Sequence, residues 1–236
     1  MAVTTPGAAA EMWSKTVALT DFHKLRVEGN AEIVIKAGAA EKVTILVPER
    51  QRRDMTIEVE DGVLLIRTHI RHGFWSGMFG ATMTPPRITV VFRHLDDIEI
   101  AGAVKLRGAD VRGPRLSVNM SGAASVDLRD VELDELRVEG SGAVKAKLAG
   151  HAKKQEVEIT GAGKYDAPSL ASDEARVTVS GAGRVIVRAD KTLQVKLSGA
   201  GAVDYLGEPA VTQQITGAGR VRRQDAIRPA PGRTTS

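Results

Sequence analysis

The sequence contains no cysteine, which excludes disulfide bonds, thiol catalysis and cysteine-ligated metals. Only 3% of its 236 residues are aromatic, so any core has to be built from aliphatic side chains. No run of eighteen apolar residues occurs, and we therefore predict no transmembrane segment. The N-terminus has neither the basic nor the long apolar region of a signal peptide. With 24 glycines, this composition fits a narrow aliphatic interior better than a compact enzyme core.

A glycine-centred motif recurs seven times between residues 98 and 223. We align it on the glycines at 102, 122, 140, 161, 181, 199 and 217, which gives successive gaps of 20, 18, 21, 20, 18 and 18 residues. In nearly every copy, apolar residues stand two and four positions before the glycine with a polar residue between them. That alternation is typical of a strand with one buried face. A near-constant period of about 20 residues indicates a solenoid.

We therefore predict an all-β fold, a right-handed parallel β-helix of about seven coils. Each strand would pair with its copies about 4.8 Å above and below, and the right hand follows from the rule for parallel crossovers. Gly-Ala-Gly corners permit positive φ and close approach of neighbouring backbones. In this alignment Arg137 lies beside Glu158, which would give a favourable polar ladder. An antiparallel meander is the competing fold, and it would need hairpin turns at half the period.

The residues before the repeats are also predicted to be β-strands, because Asp61-Gly62 between two apolar runs is a strong hairpin signal. We expect them to form a cap that hides one end of the solenoid. The predicted organisation is a flexible arm at 1–14, a β-rich cap at 15–97, repeats at 98–223 and a disordered tail at 224–236.

One segment, the aromatic loop at 69–83, differs in chemistry from the rest of the chain. Glycine-spaced large side chains occur there, and we predict an interaction site made of Phe74, Trp75, Met78 and Phe79. A loop that folds back over apolar coil ends and a platform that stacks on a sugar are the alternatives. Two nearby histidines lack carboxylate support, so no metal site is predicted.

The repeat offers little for catalysis. Its glycine motifs are not followed by helices, so they do not form phosphate-binding loops. Three carboxylates, Asp127, Asp166 and Asp204, follow the glycines by five residues and could line one face, as in polysaccharide-cleaving β-helices. Lys145 would stand between the first two, however, and a cation there opposes the protonated state that a general acid needs. We predict no catalytic residues and no cofactor.

The net charge of +4 is modest and owes much to five late arginines, Arg220, Arg222, Arg223, Arg228 and Arg233. We interpret these arginines as a solvated end rather than as a nucleic-acid or anionic-surface patch. No nucleic-acid partner is predicted.

The repeat copies resemble a known family. V-S-G-A-G-R-V, I-T-G-A-G-R-V and above all L-S-G-A-G-A-V-D-Y-L-G-E-P (Leu197 to Pro209) are similar to the head GIN domain of auto-transporter adhesins. The resemblance covers about residues 17–223. It implies a β-helix-like fold in secreted or envelope-anchored bacterial proteins, without established catalytic residues. It therefore also implies an extracytoplasmic location, in the periplasm or at the cell surface.

The functional prediction is a non-enzymatic cell-envelope protein that acts in binding, adhesion or scaffolding. Its expected partner is an envelope protein, a glycan or a second copy of the chain. Two alternatives are a polysaccharide-cleaving β-helix enzyme and a polymer-forming structural protein similar to the bactofilins. The polar terminal coil opposes open polymerisation, so we expect a monomer or a small homo-oligomer.

Overall fold

In the computed structural model, residues 12–68 and 85–224 are described, and nearly all of them lie in β-strands. The one helix in these ranges is a short 3₁₀ segment, Glu49–Asp54. The strands are β1 Met12–Val17, β2 Lys24–Ala37, β3 Lys42–Pro48, β4 Met55–Glu60, β5 Val63–Thr68, β6 Arg87–Phe92, β7 Asp97–Ala109, β8 Arg112–Gly122, β9 Ser125–Gly142, β10 Lys145–Gly161, β11 Lys164–Gly181, β12 Arg184–Arg188, β13 Thr192–Gly199, β14 Ala202–Leu206, β15 Ala210–Thr216 and β16 Arg220–Arg223.

From β7 onward all pairing is parallel, and each coil stacks on the coil before it. The long strands β9, β10 and β11 each cover most of a coil, whereas later coils divide into two strands apiece. The predicted β-solenoid is therefore confirmed, and the antiparallel meander is not formed. It has about six turns of about 20 residues rather than about seven, because seven corners enclose six complete intervals.

The register corrects one repeat of the alignment. Gly142, not Gly140, pairs with Gly122 in the coil before and with Gly161 in the coil after. The corner glycines are thus Gly102, Gly122, Gly142, Gly161, Gly181, Gly199 and Gly217, all with positive φ. Their gaps of 20, 20, 19, 20, 18 and 18 residues are more regular than those predicted.

Gly140 instead points inward, in the row two residues before the corner. A Cβ there would lie 2.5 Å from Val144 Cγ2 and 3.0 Å from Ile159 Cδ1. Neighbouring aliphatic side chains therefore fill the space that an apolar residue occupies in the other coils. The shift also changes the polar ladder, since Arg137 pairs in register with Glu156 and not with Glu158.

The backbone amide that follows a corner glycine donates a hydrogen bond to the backbone of the previous coil. The Ala123 amide donates to the Gly102 carbonyl at 3.0 Å, and Ala143 donates to Gly122 at 2.9 Å. Later coils repeat the bond, which places each corner directly over the previous one. The corners therefore form a continuous edge that separates two outward-facing surfaces of the solenoid.

A small polar cluster interrupts the aliphatic core of the middle coils. Gln155 donates through Nε2 to Ser172 Oγ at 2.6 Å and to the Arg188 carbonyl at 2.8 Å. The hydroxyl of Tyr165, a residue with no exposed surface, donates to Gln155 Oε1 at 3.2 Å. Burial raises the pKa of the Tyr165 phenol. These groups satisfy one another by hydrogen bonds inside the core, as buried polar atoms must.

The N-terminal part is β-structure of mixed direction, as predicted. Strand β2 stacks in parallel on β7, with Gly29 opposite Gly102, so it acts as an early copy of the repeat. On its other side β2 pairs with β5 and β6. Strands β3 and β1 then extend the sheet in antiparallel pairing. The Asp61-Gly62 hairpin joins β4 to β5, with both turn residues at positive φ. The first described strand begins at Met12, inside the predicted arm.

Candidate interaction surface

The outward side chains on the two sides of the corner edge carry different charges. We call those three and five residues after each corner glycine the post-corner face, and those three and five residues before it the pre-corner face. In both faces the same rows continue from coil to coil because the pairing is in register. The corner edge therefore sorts side chains by sequence position into two separate surfaces.

The post-corner face is strongly basic. Across the seven corners it carries eight cations against three carboxylates. The cations are Lys105, Arg107, Lys145, Lys147, Lys164, Arg184, Arg220 and Arg222, and the carboxylates are Asp127, Asp166 and Asp204. This surplus exceeds the net charge of +4 of the whole chain. The late arginines Arg220 and Arg222 are thus part of a continuous surface and not only a solvated end.

The cations of this face stand further into solvent than its carboxylates. The Lys164 side chain is 45% exposed and its ion-pair partner Asp166 is 21% exposed, with 3.3 Å between Nζ and Oδ2. Farther along, Arg184 is 52% exposed and Asp204 only 1%, at 2.9 Å. Long cationic side chains extend past short acidic ones, a consequence of their lengths and flexible stems. An approaching partner therefore meets positive charge first.

Four of these cations have no carboxylate partner within the described residues: Arg107, Lys145, Lys147 and Arg220. Arg107 and Lys145 are both exposed, and they lie two coils apart in adjacent rows. Their charges are available to a ligand without breaking an existing contact.

The pre-corner face is weakly acidic, with five carboxylates and three cations across the same seven corners. Arg137 lies between two of the carboxylates and reaches Glu156 Oε2 through Nη1 at 3.2 Å. A hydrogen bond from Arg137 to Glu139 raises the pKa of the guanidinium, and the nearby charges of Glu139 and Glu156 add to it. At the start of the face Arg26 pairs with Glu99 at 2.6 Å. Half of the eight charged side chains of this face therefore take part in ion pairs.

The sequence pattern did not single out Asp97, a carboxyl of the pre-corner face. Burial, followed by the charge of Glu99, raises the pKa of the Asp97 carboxyl. The only signal available was the position of Asp97 two residues before Glu99, which places both on the same face of β7. Partial burial of Asp97 is a tertiary effect and is not visible in the pattern.

The three carboxylates considered for catalysis do lie in one row of the post-corner face. Lys147, not Lys145, stands between Asp127 and Asp166, as the shifted corner requires. Ile186 separates Asp166 from Asp204. The first two border an open groove of about 340 Å³. The row thus alternates acid and base rather than bringing two carboxylates together.

Each of these carboxylates also has a cation of its own. Arg129 Nε lies 3.4 Å from Asp127 Oδ1, and Asp204 is buried between Arg184 and Arg222, whose Nη2 lies 3.3 Å from Oδ1. No hydrogen bond of good geometry reaches that Oδ1 atom, so its contact with Arg222 is mainly electrostatic. The three carboxylates are thus ion-pair partners within a charged surface, and no two of them are neighbours in the row.

The predicted interaction residues Phe74, Trp75, Met78 and Phe79 lie outside the described residues. The flanks of their segment are described. Thr68 Oγ1 accepts a hydrogen bond from the Asn30 amide at 2.8 Å, and the Pro86 carbonyl accepts one from Glu32 at 2.9 Å. The two flanking residues, Thr68 and Pro86, therefore both lie close to the Gly29 corner of β2.

Among the described residues, no group of three or more acidic or histidine side chains is arranged to hold a metal ion. In the same ranges, no helix combines the length and hydropathy needed to cross a bilayer.

Comparison with solved structures shows the same fold. An adhesin described as putative from Bacteroides fragilis NCTC 9343 matches with a TM-score of 0.81 at 17% identity, over 92% of this chain and 98% of that one. A protein titled "Putative lipid binding protein" from Parabacteroides distasonis ATCC 8503 matches with a TM-score of 0.71 at 18% identity, over 90% and 96%. A further adhesin described as putative, from Parabacteroides distasonis ATCC 8503, gives 0.65 at 21% identity, over 91% and 97%. No curated protein sequence matches.

A family comparison agrees with the repeat. The family described as "Putative auto-transporter adhesin, head GIN domain" matches residues 21–209, which spans the N-terminal layers and most of the solenoid. The match ends at Pro209 and so includes the whole Tyr205 to Pro209 segment, which carries the strongest part of the sequence resemblance. This chain therefore belongs to the head GIN domain family.

Proposed function

We propose that this protein is a non-enzymatic binding module of the bacterial cell envelope, an adhesion or scaffolding unit that presents the surfaces of a rigid solenoid. Family membership supports an extracytoplasmic role, in the periplasm or at the cell surface. The observation that carries the proposal is the post-corner face, a continuous charged surface that runs along the coils with its cations in solvent. A surface of this kind can engage an envelope protein or glycan without any chemical step.

The stacked coils suit such a role mechanically. Each strand of the middle coils is paired on both sides over nearly its whole length, and its inward side chains are fully buried aliphatics such as Val157, Val177 and Leu170. Close packing of this type resists deformation. Side chains on the outer faces are thereby held at fixed spacings, which lowers the entropic cost of binding an extended partner.

The first prediction separates binding from turnover. The purified chain is expected to bind at least one class of ligand on an array of bacterial envelope glycans, and to release no reducing ends from the same material. Asp127→Asn and Asp166→Asn are expected to retain ligand binding within about threefold, since each removes one of several charges on the surface. Asp134→Asn, an exposed carboxylate that pairs with Lys153 at 2.6 Å, is the matched control. Reducing ends that accumulate with wild type and vanish in the Asp127 or Asp166 variant would establish the enzyme alternative instead.

The second prediction concerns assembly. The described C-terminal end is an open edge: every residue of β15 is exposed, and Val211 and Ile215 are each 38% exposed. Arginines of β16 flank this uncharged strand, and like charges oppose edge-to-edge pairing of two copies. We therefore expect a discrete particle, a monomer or a small oligomer, in light scattering. Long filaments would favour the polymer-forming alternative.

The aromatic loop is the proposed contact of any oligomer that forms. Phe74→Ser/Trp75→Ser/Phe79→Ser is expected to convert such an oligomer to monomer while circular dichroism stays unchanged, because aromatic anchors dominate interface energies. Val211→Ser/Ile215→Ser serves as the control at the opposite end and is expected to leave the mass unchanged. An oligomer that survives the triple substitution but dissociates in the control would place the contact at β15.

A further inference from the structure

We propose that the post-corner face is a binding site for a linear acidic polysaccharide. The polysaccharide would run from coil to coil, perpendicular to the stacked strands. This inference rests on the proposed function and gives it a ligand class. The face is continuous because the corner glycines pair in register, and its seven corners, with six intervals between them, extend over roughly 30 Å at the ordinary strand spacing. A linear polymer with repeated negative charges matches a linear array of cations with a fixed repeat.

The arrangement of the unpaired and paired cations supports this ligand class. Arg107 and Lys145 have no carboxylate partner among the described residues, so they can bind ligand carboxylates or sulfates directly. Lys147 lies between Asp127 and Asp166 in the register of the sheet. The face thus offers free cations at some positions and mixed acid–base pairs at others.

This mixture favours a sugar polymer over a membrane surface. A uronic-acid or sulfated chain carries hydroxyl groups between its charges, and these hydroxyls can donate to the recessed carboxylates of Asp127 and Asp166. A layer of anionic lipid headgroups presents negative charge over the whole plane and would repel the same carboxylates. No aromatic residue stands in the rows of this face to enter a bilayer interface. The observed chemistry therefore selects a polyanion with hydroxyl groups.

The pre-corner face provides an internal comparison. It is built on the same coils, with the same strand pairing, but carries more carboxylates than cations. Arg176 and Lys196 are exposed on it, and neither forms an ion pair within the described ranges. These two residues match Arg107 and Lys145 in charge, in exposure and in residue type. Neutralising either pair lowers the net charge of the chain by the same amount. The two double variants therefore differ only in which face loses the charges.

The experiment measures binding of the full chain to polygalacturonate and to dextran sulfate by isothermal titration calorimetry, with neutral dextran and phosphatidylglycerol vesicles as further probes. Wild type is expected to bind both polyanions, with affinity that falls steeply as salt rises because bound counterions are released. Arg107→Gln/Lys145→Gln is expected to weaken binding about tenfold at low salt and to flatten the salt dependence. Arg176→Gln/Lys196→Gln is expected to change the affinity less than about twofold.

Equal losses in the two double variants would overturn the proposal, because they would show a response to net charge and not to one face. Binding to phosphatidylglycerol vesicles without binding to the soluble polyanions would overturn it in favour of a lipid surface. If neither polyanion binds while the array still retains the chain, the polysaccharide site is wrong and the envelope-binding function stands. If the array retains nothing and reducing ends appear, the proposed function itself fails. Circular dichroism of both variants confirms that each has folded.

Discussion

Replacing Gly102 by alanine is expected to destabilise the protein by about 3 kcal/mol. Gly102 adopts φ of +117°, and a Cβ at this position would lie 2.3 Å from the Gly29 carbonyl oxygen. That oxygen belongs to the backbone of β2, so it cannot rotate away as a side chain would. Relief requires β2 and β7 to move apart, and the pairing of these strands joins the N-terminal layers to the solenoid.

Denaturant unfolding followed by circular dichroism measures the effect. Gly113→Ala is the matched control: Gly113 also lies in a strand, but its φ is not in the left-handed region and the nearest contact of its Cβ is His94 Cε1 at 3.3 Å. It is expected to change the free energy of unfolding by less than about 1 kcal/mol. Equal losses in the two variants would show that the Gly102 corner has no special requirement for glycine. If Gly102→Ala lowers both the denaturant midpoint and the slope of the unfolding free energy against denaturant concentration, the N-terminal layers unfold separately.

The sequence was sufficient to predict the solenoid because the same physical constraint acts once per coil. Alternation before each glycine identified the strands, and the period identified the stacking. One repeat was misaligned because its segment, Val138 to Gly142, contains two glycines. Gly140 is the one that packs inward, against Val144 and Ile159. Requiring the most even spacing would have selected Gly142. That single shift moved Lys147 into the place expected for Lys145.

The interaction surface was harder to predict than the fold. An outward-facing residue in the alternating pattern only needs to be polar. The pattern therefore says little about whether its charge is positive or negative. The charges of the post-corner face can be recognised in the sequence only when residues about 20 positions apart are aligned as neighbours. A misalignment of one repeat therefore assigns the wrong residues to the face. The burial of Asp204 between Arg184 and Arg222 and the partial burial of Asp97 depend on neighbouring coils. Neither follows from periodicity.

The polar cluster around Tyr165 was also not predicted, although each member occupies a regular inward position. Tyr165 stands four residues after its corner glycine, in a row otherwise filled by aliphatic residues such as Val126 and Val185. Its larger side chain reaches Gln155 in the same coil. A tyrosine and a glutamine ten residues apart carry no recognised sequence signal of contact, and the coil geometry brings them together.

Removal of the Tyr165 side chain is expected to have the largest effect of any single truncation in this core. Tyr165→Ala should destabilise the protein by about 3–5 kcal/mol, because the fully buried ring leaves a cavity between stacked coils that cannot collapse. Tyr165→Phe keeps the ring and removes only the hydrogen bond to Gln155 Oε1, so we expect a loss of about 1 kcal/mol at neutral pH. Thermal or denaturant unfolding of the three proteins measures both values. Similar losses in the two variants would contradict a dominant packing role.

Alkaline pH tests the hydroxyl of Tyr165 separately from its ring. Burial raises the pKa of the folded-state phenol above its ordinary value of 10.0, so above that pH the unfolded chain loses the proton while the folded chain keeps it. The unfolded state then binds fewer protons, and the free energy of unfolding falls as pH rises, by up to about 1.4 kcal/mol per pH unit from this group. Tyr165→Phe lacks the group, whereas all other titrating residues are common to both proteins. The stability advantage of wild type is therefore expected to hold below pH 10.0 and to shrink, then reverse, above it. A difference between the two proteins that stays constant through this range would show that the phenol titrates equally in the folded and unfolded states, and that it is not enclosed by the core.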